Sequence, residues 1–316
     1  MASILNIVVS CTDRKRLSVP LGLRVRAIRD MPLKQRFERW WDRLSAAREQ
    51  SVQAQELYMG DHWHICRSLP AMAKERGFRP KLWIASAGYG LVAADALLHP
   101  YSATFATGQP DAVVTATEGP QGLRKWWSLL TGRQGPLRGA PRSLTDVVRS
   151  APKCHVLLVC SPTYVKALSD DLADAVDEMA DRDQFLIVTS AASLSPKLQE
   201  QVIPSEGRLR GLVGGALPSL HARVARKILG EVRRSRLSAP DLRARYQALL
   251  QRTPDLPHHD RIAMTDLQVH RFVRASLRRE PTLARTPMLR QLRDSGYACE
   301  QARFGAIFRE VKRHAA

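Results

Sequence analysis

The chain lacks the sequence marks of most familiar enzyme classes. No Walker loop, G-x-G-x-x-G, H-E-x-x-H or G-x-S-x-G occurs, so nucleotide hydrolysis, dinucleotide cofactors, the common zinc hydrolases and the esterases lose their usual support. Five cysteines, Cys11, Cys66, Cys154, Cys160 and Cys299, are odd in number, scattered, and include no C-x-x-C pair. That argues against a disulfide framework or zinc knuckle and for free thiols in a reducing compartment. No apolar run approaches the roughly 18 residues of a membrane span. Met1 to Asp13 has one short apolar run and no basic leader, unlike a signal peptide. The expectation is a cytoplasmic protein with no membrane partner, no cofactor and no metal.

Acid is scarce too. Thirty Asp and Glu stand against 49 Lys and Arg, a formal charge of +19, and so basic a balance points to a polyanionic partner such as nucleic acid. The excess gathers at the C-terminal end: from His221 to Ala316 there are 21 Lys and Arg against 9 Asp and Glu, and 19 of the 21 are arginine. Arginine suits planar, bidentate contacts to phosphate and guanine better than lysine does. The rest of the composition, 44% hydrophobic and 25% charged over 316 residues, belongs to a globular chain long enough to bury a real core.

Four short apolar runs read as buried strands: Ile4 to Val9, Leu82 to Ala85, His155 to Val159 and Phe185 to Val188. Pro162 to Ala180 has helical spacing between the last two, which gives a parallel strand–helix–strand crossover of about 35 residues. Further helices are expected near residues 34–48, 54–76 and 220–236. The fold class is α/β: an open, mostly parallel sheet flanked by helices, over residues 1–237. The stretch 119–152 is rich in Gly, Pro, Ser and Arg and reads as a loop-rich insertion around a short helix near Trp126 to Leu130. After Ser238, prolines punctuate helical segments, and residues 238–316 read as a basic helical module for nucleic acid. Within it a helix, a turn at Asp294-Ser295-Gly296 and a second helix from about Cys299 have helix-turn-helix spacing. Phe304, Ile307, Phe308 and Val311 would face inward, and Gln301, Arg303, Arg309 and Lys312 outward to DNA.

In open α/β sheets ligands bind beyond the carboxyl ends of the strands. The polar residues at those ends are therefore the candidate site: Ser10, Cys11, Asp13 and Lys15 after the first strand, Ser86 with Gly88, Tyr89 and Gly90 after the second, and Cys160 with Ser161 after the third. Thr189 and Ser190 follow the fourth. Small residues let backbone N–H groups approach an anion or a planar ring, and Tyr89 or Tyr101 would stack on it, with Tyr101 and Phe105 at the rim. Cys11 beside cations has the setting of a reactive thiolate; Lys15 or Asp13 would move protons, and Cys160 is the rival nucleophile. Ser161-Pro162 is equally a plain helix start. In "GDHWHIC" a helix would bring His62 and Cys66 together and leave His64 apart, which makes a metal site a weak reading. His258-His259 is weaker still.

"SAGYGL" at residues 86–91, followed by "PYSATF" at 100–105, resembles the Ser-Ala-x-Tyr-Gly-Leu and later Pro-Tyr elements of the YaaA-like proteins, and "IVVSCTDRK" at 7–15 is similar to the first strand of their relatives. The resemblance covers roughly residues 4–106, with a vaguer α/β match to about 230. The family's frequent Lys between Ala and Tyr is Gly88 here, so no role of that lysine carries over. The resemblance implies DNA binding and protection. In the branch linked to deazaguanine DNA modification it implies conversion of a cyano-deazaguanine already in double-stranded DNA to the amide. Such an enzyme would flip the base into the crevice, add a cysteine thiolate to the nitrile, and hydrolyse the thioimidate to the amide. The alternative is a non-catalytic protein that grips and protects DNA. RNA as the polyanion is a third, weaker reading.

Overall fold

The computed structural model describes residues 2–190, 194–232, 235–256 and 260–315. It divides into two compact units, Met1–Asp255 and Leu256–Ala316.

The first unit is built on a six-stranded sheet: β1 (Ile4–Ser10), β2 (Arg79–Ser86), β3 (Gly90–Ala93), β4 (His155–Val159), β5 (Phe185–Thr189) and β6 (Val202–Pro204), in the order β3-β2-β1-β4-β5-β6. Every pairing is parallel except β2 with β3. Strands buried on both faces need apolar side chains on both, which is why Val, Ile and Leu dominate β1, β4 and β5. Flanking helices are α1 (Leu33–Ser45), α2 (Asp61–Glu75), α3 (Gly119–Thr131), α4 (Leu144–Arg149), α5 (Pro162–Ala167), α6 (Ser169–Asp177), α7 (Leu220–Glu231) and α8 (Ala239–Arg252). From β1 the chain goes to β2 on one side and later returns to β4 on the other. The strand order therefore reverses between β1 and β4, which makes their carboxyl ends the switch point of the sheet.

Three sequence expectations change. Residues 119–152 are not mainly loop: α3 and α4 occupy much of the stretch, and Leu123, Trp126, Trp127 and Leu130 lock one face of α3 into the main core. Their spacing is helical, and the flanking glycines and prolines masked it. The module boundary moves as well. Helix α8 lies with the first unit, where Tyr246 and Leu250 join the large core, so the division falls after Asp255 and not after residue 237. Finally, β3 and β6 are strands too short for a periodicity signal, and the 162–180 helix breaks at Leu168 into α5 and α6.

The second unit contains β7 (Ile262–Ala263), α9 (Asp266–Arg279), α10 (Arg285–Asp294), β8 (Tyr297–Ala298) and α11 (Gln301–Ala315), with β7 and β8 paired in parallel. Its core is separate and small, with Val269, Val273, Met288, Leu292, Phe304, Ile307, Phe308 and Val311 at its centre. The four α11 residues expected to face inward do so. Among the described residues no helix is long and apolar enough to cross a membrane.

Candidate active site

The ladder of β1 continues one residue past Ser10, where the Cys11 N–H donates to the Ala85 carbonyl at 3.0 Å. Successive residues of an extended strand point to opposite faces, and Ser10 and Cys11 reach different helices. The Cys11 Sγ lies 3.0 Å from the Tyr164 hydroxyl. Tyr164 stands in α5, the helix that leaves β4, so thiol and phenol meet across the switch point. Both are buried, and burial holds the Tyr164 phenol well above its usual pKa, hence protonated.

Beyond Cys11 the chain turns outward, then back. Asp13 and Arg14 are exposed, while the Arg16 N–H donates to Leu57 O (2.8 Å) and the Met59 N–H to Arg14 O (3.0 Å). That pairing aims Lys15 inward. Its Nζ sits 4.5 Å from the centre of the Tyr101 ring and 5.8 Å from that of Tyr58, is itself buried, and has no hydrogen-bond partner among the described residues. The ring faces offer the ammonium partial compensation. Burial lowers the Lys15 pKa, opposed by charge on Cys11, Asp13 and Asp111.

The loop after β2 forms the floor behind this group. Ser86 Oγ accepts from the Gly88 N–H (3.2 Å) and the Tyr89 N–H (3.0 Å), and lies 2.6 Å from the Tyr101 hydroxyl, which in turn is 2.9 Å from that of Tyr58. Trp40 Nε1 donates to Gly88 O and Trp126 Nε1 to Ala87 O, both at 2.8 Å, and the Arg142 guanidinium donates to the Tyr89 and Leu91 carbonyls. Ser86, Gly88, Tyr89, Gly90, Tyr101 and Phe105 are consequently buried, which corrects the expectation of an open rim on which a ring would stack. Two indoles and a guanidinium from distant segments saturate the loop's carbonyls and close it. Gly88 is required there: a Cβ would stand 2.5 Å from the Tyr101 ring, so a family-like lysine has no room at that position. Gly90 adopts φ +78° with Arg142 and Leu130 against it.

On the other face of the sheet Ser10 Oγ is 3.3 Å from His62 Nε2, Cys66 Sγ is 3.4 Å from the same nitrogen, and the His221 ring is centred 4.8 Å from that of His62. Burial pushes His62 down to about 4 and His221 to about 3, so both are neutral near pH 7. The helix pairs His62 with Cys66 as expected and leaves His64 exposed, and the described residues contain no group of three or more His, Cys, Asp or Glu able to hold a metal.

Cys160 is fully buried at the end of β4, and burial pushes its thiol well up. Burial with a raised pKa is the setting of an inert thiol and disfavours Cys160 as a nucleophile. Ser161 is half-buried and caps α5 without a side-chain hydrogen bond. Ser190 is half-buried at the end of β5, and residues 191–193 after it, like His258 and His259, lie outside the described residues. In the second unit Gln301, Arg309 and Lys312 are exposed. Arg303 is instead half-buried, donating to Asp266 at 2.5 Å and to Met264 O at 2.9 Å, and so holds the module together.

Sequence reasoning missed Tyr58 and gave Tyr164 no role. Tyr164 belonged to the polar run after the third strand, and a phenol three residues beyond Ser161 was the available signal. Nothing local marked Tyr58. No protein-family model, curated protein or solved structure matches this chain, so what the site does rests on its own chemistry.

Proposed function

We propose that this protein is an enzyme that hydrates a nitrile on a 7-deazaguanine base in double-stranded DNA, with Cys11 as nucleophile. One observation carries the catalytic part: a thiol and a neutral phenol 3.0 Å apart across the switch point, with a buried lysine nearby that has no hydrogen-bond partner among the described residues. Perturbed groups of this kind cluster at functional sites. The choice of substrate comes from the YaaA-like resemblance, and the basic charge suits a substrate that is a whole duplex.

In this reading the Cys11 sulfur adds to the nitrile carbon while the nitrogen takes a proton from Tyr164 or Lys15, and the S–H proton of Cys11 passes back to that donor, giving a thioimidate. Water then adds to the C=N carbon, and collapse of the tetrahedral adduct expels the thiol and leaves the amide. No oxidant or reductant is needed. The phenol on Sγ assists departure of sulfur rather than ammonia, which favours amide over acid. Exposed Asp13 is the nearest carboxylate in sequence for relaying protons to solvent, and the turn with α10 and α11 gives the module its helix-turn-helix reading.

The second reading, a DNA-binding or protection protein without catalysis, is favoured by the closed loop: Ser86 and Tyr101 are buried and fully engaged with one another. Nucleoside mass spectrometry of a cyano-deazaguanine duplex, incubated with the protein and with Cys11→Ala, separates the two. A gain of one water that the variant abolishes supports the enzyme. No mass change on DNA that the protein demonstrably binds sinks it.

A further inference from the structure

The second unit carries 12 Lys and Arg against 6 Asp and Glu, and its cations divide into two kinds. Some are held internally: Arg303 by Asp266, Arg261 and Arg293 on the carbonyls of Arg293 and Cys299. Others stand free, and three of these form a row. Helix α9 buries Val269, Val273 and Ser276. Positions 267, 271, 274 and 278 lie on the opposite side, at the three- and four-residue steps that share a helix face. They are Leu267, Arg271, Arg274 and Arg278, all exposed. None of the three arginines has an ion pair or side-chain hydrogen bond among the described residues, and no acid lies on that face.

Three of the unit's six acids are engaged away from this row. Asp266 binds Arg303, Glu300 accepts from the Ala302 and Arg303 N–H groups, and Glu310 faces His270. Some cations of the first unit are held in the same way as Arg303: Arg223 pairs with Asp61, Lys227 and Arg245 with Glu231, and Arg208 with Glu206 and Asp255. Helix α9 thus has one face in a core and, on the other, three guanidiniums without an ion pair among the described residues.

We propose that the solvent face of α9, through Arg271, Arg274 and Arg278, is the surface on which this protein grips the phosphate backbone of duplex DNA. This inference rests on the nucleic-acid part of the function proposed above and assigns it to a surface other than α11. At 1.5 Å per residue the row is about 10 Å long. Successive phosphates of one strand rise about 3.4 Å along the duplex axis, so the row fits a run of phosphates and is too long for a single small anion. Arginine's planar fork meets phosphate oxygens two at a time. A membrane surface would need an apolar belt beside the cations, and this face offers only Leu267.

The test is the salt dependence of binding to a short unmodified duplex, for the full chain and for Arg271→Gln/Arg274→Gln/Arg278→Gln. The three side chains are exposed and make no ion pair or side-chain hydrogen bond among the described residues, so the variant should melt close to the parent. Loss of three phosphate contacts makes the plot of log K against log salt shallower by about 2.7. An unchanged slope, or no duplex binding by the parent, overturns the assignment; so does a loss of binding to anionic vesicles in place of duplex. The companion variant Arg309→Gln/Lys312→Gln keeps more of the slope than the triple variant, and the reverse order overturns the assignment in favour of α11. Amide formation on the cyano-bearing duplex is read on the same samples. Its absence, with the triple variant still shallower, sinks the enzyme and leaves the surface standing.

Discussion

Ser10 and Cys11 are consecutive, yet they enter two polar clusters on opposite faces of one sheet. On the Ser10 side, His62, Cys66 and His221 are packed between α2 and α7, and burial has driven both imidazoles neutral. On the Cys11 side burial is as deep around Tyr58, Tyr101 and Tyr164, but the Lys15 amino group remains among the phenols with no hydrogen-bond partner among the described residues. The first cluster is what burial makes of polar groups when only stability is at issue: each loses its charge. The second retains a group that costs stability, and local violations of that kind mark sites under another constraint.

The most direct way to break this comparison is to exchange the roles of the two neighbours. Cys11→Ala should abolish amide formation, while Ser10→Ala should keep it within a few-fold of the parent. Nucleoside mass spectrometry reads both, and the opposite pattern would move the site to the histidine face. Lys15→Met should lower the rate by about 10²–10⁴-fold, the usual worth of a positioned proton donor, and also stabilise the protein by about 1–3 kcal/mol by removing a buried unsatisfied polar group. The sign follows from linkage: the Lys15 pKa is lowered on folding, so its penalty is complete below the folded pKa and fades as pH rises through that value towards 10.5. Denaturant melts of both proteins across that range should therefore converge at high pH.

The histidine face makes the converse prediction. Groups whose pKa falls from 6.5 to about 4 and about 3 on folding are protonated more readily in the unfolded chain. Stability is then lost as pH falls below 6.5, by about 2 kcal/mol per histidine at pH 5. His62→Phe should flatten that acid limb by about one proton without abolishing catalysis; a proton count from the pH dependence of unfolding that stays the same would contradict it. The smallest effect belongs to Cys160→Ala, expected to cost about 1 kcal/mol of stability and to leave amide formation within two-fold. A large loss of product would restore Cys160 as the nucleophile.

Much of the first unit was legible in the sequence because its signals are local. Four strands announced themselves as apolar runs, and the residues after Val9, Ala85 and Val159 were picked out as strand ends for the same reason. The loop at 86–91 was misjudged for a physical reason: glycines and hydroxyls look the same whether the loop opens to a ligand or is closed by Trp40, Trp126 and Arg142. The 119–152 stretch failed in the other direction, since prolines around α3 hid the buried face formed by Leu123, Trp126, Trp127 and Leu130. On the last helix, spacing separated the buried Phe304 and Phe308 from the exposed Arg309 and Lys312, but could not show that Arg303 was tied to Asp266.

By itself the sequence determined four of the sheet's strands, the buried face of the last helix, and that the chain carries a large excess of basic residues, because hydrophobic period and charge count do not depend on distant residues. Tertiary structure alone decided that Cys11 meets Tyr164, 153 positions away, that Lys15 ends over Tyr101 without a hydrogen-bond partner among the described residues, and which of the described arginines are ion-paired. Those outcomes depend on the order in which strands assemble into the sheet and on which acids the packing brings into reach. A side chain's neighbours across the fold set its charge, its proton and its freedom to act.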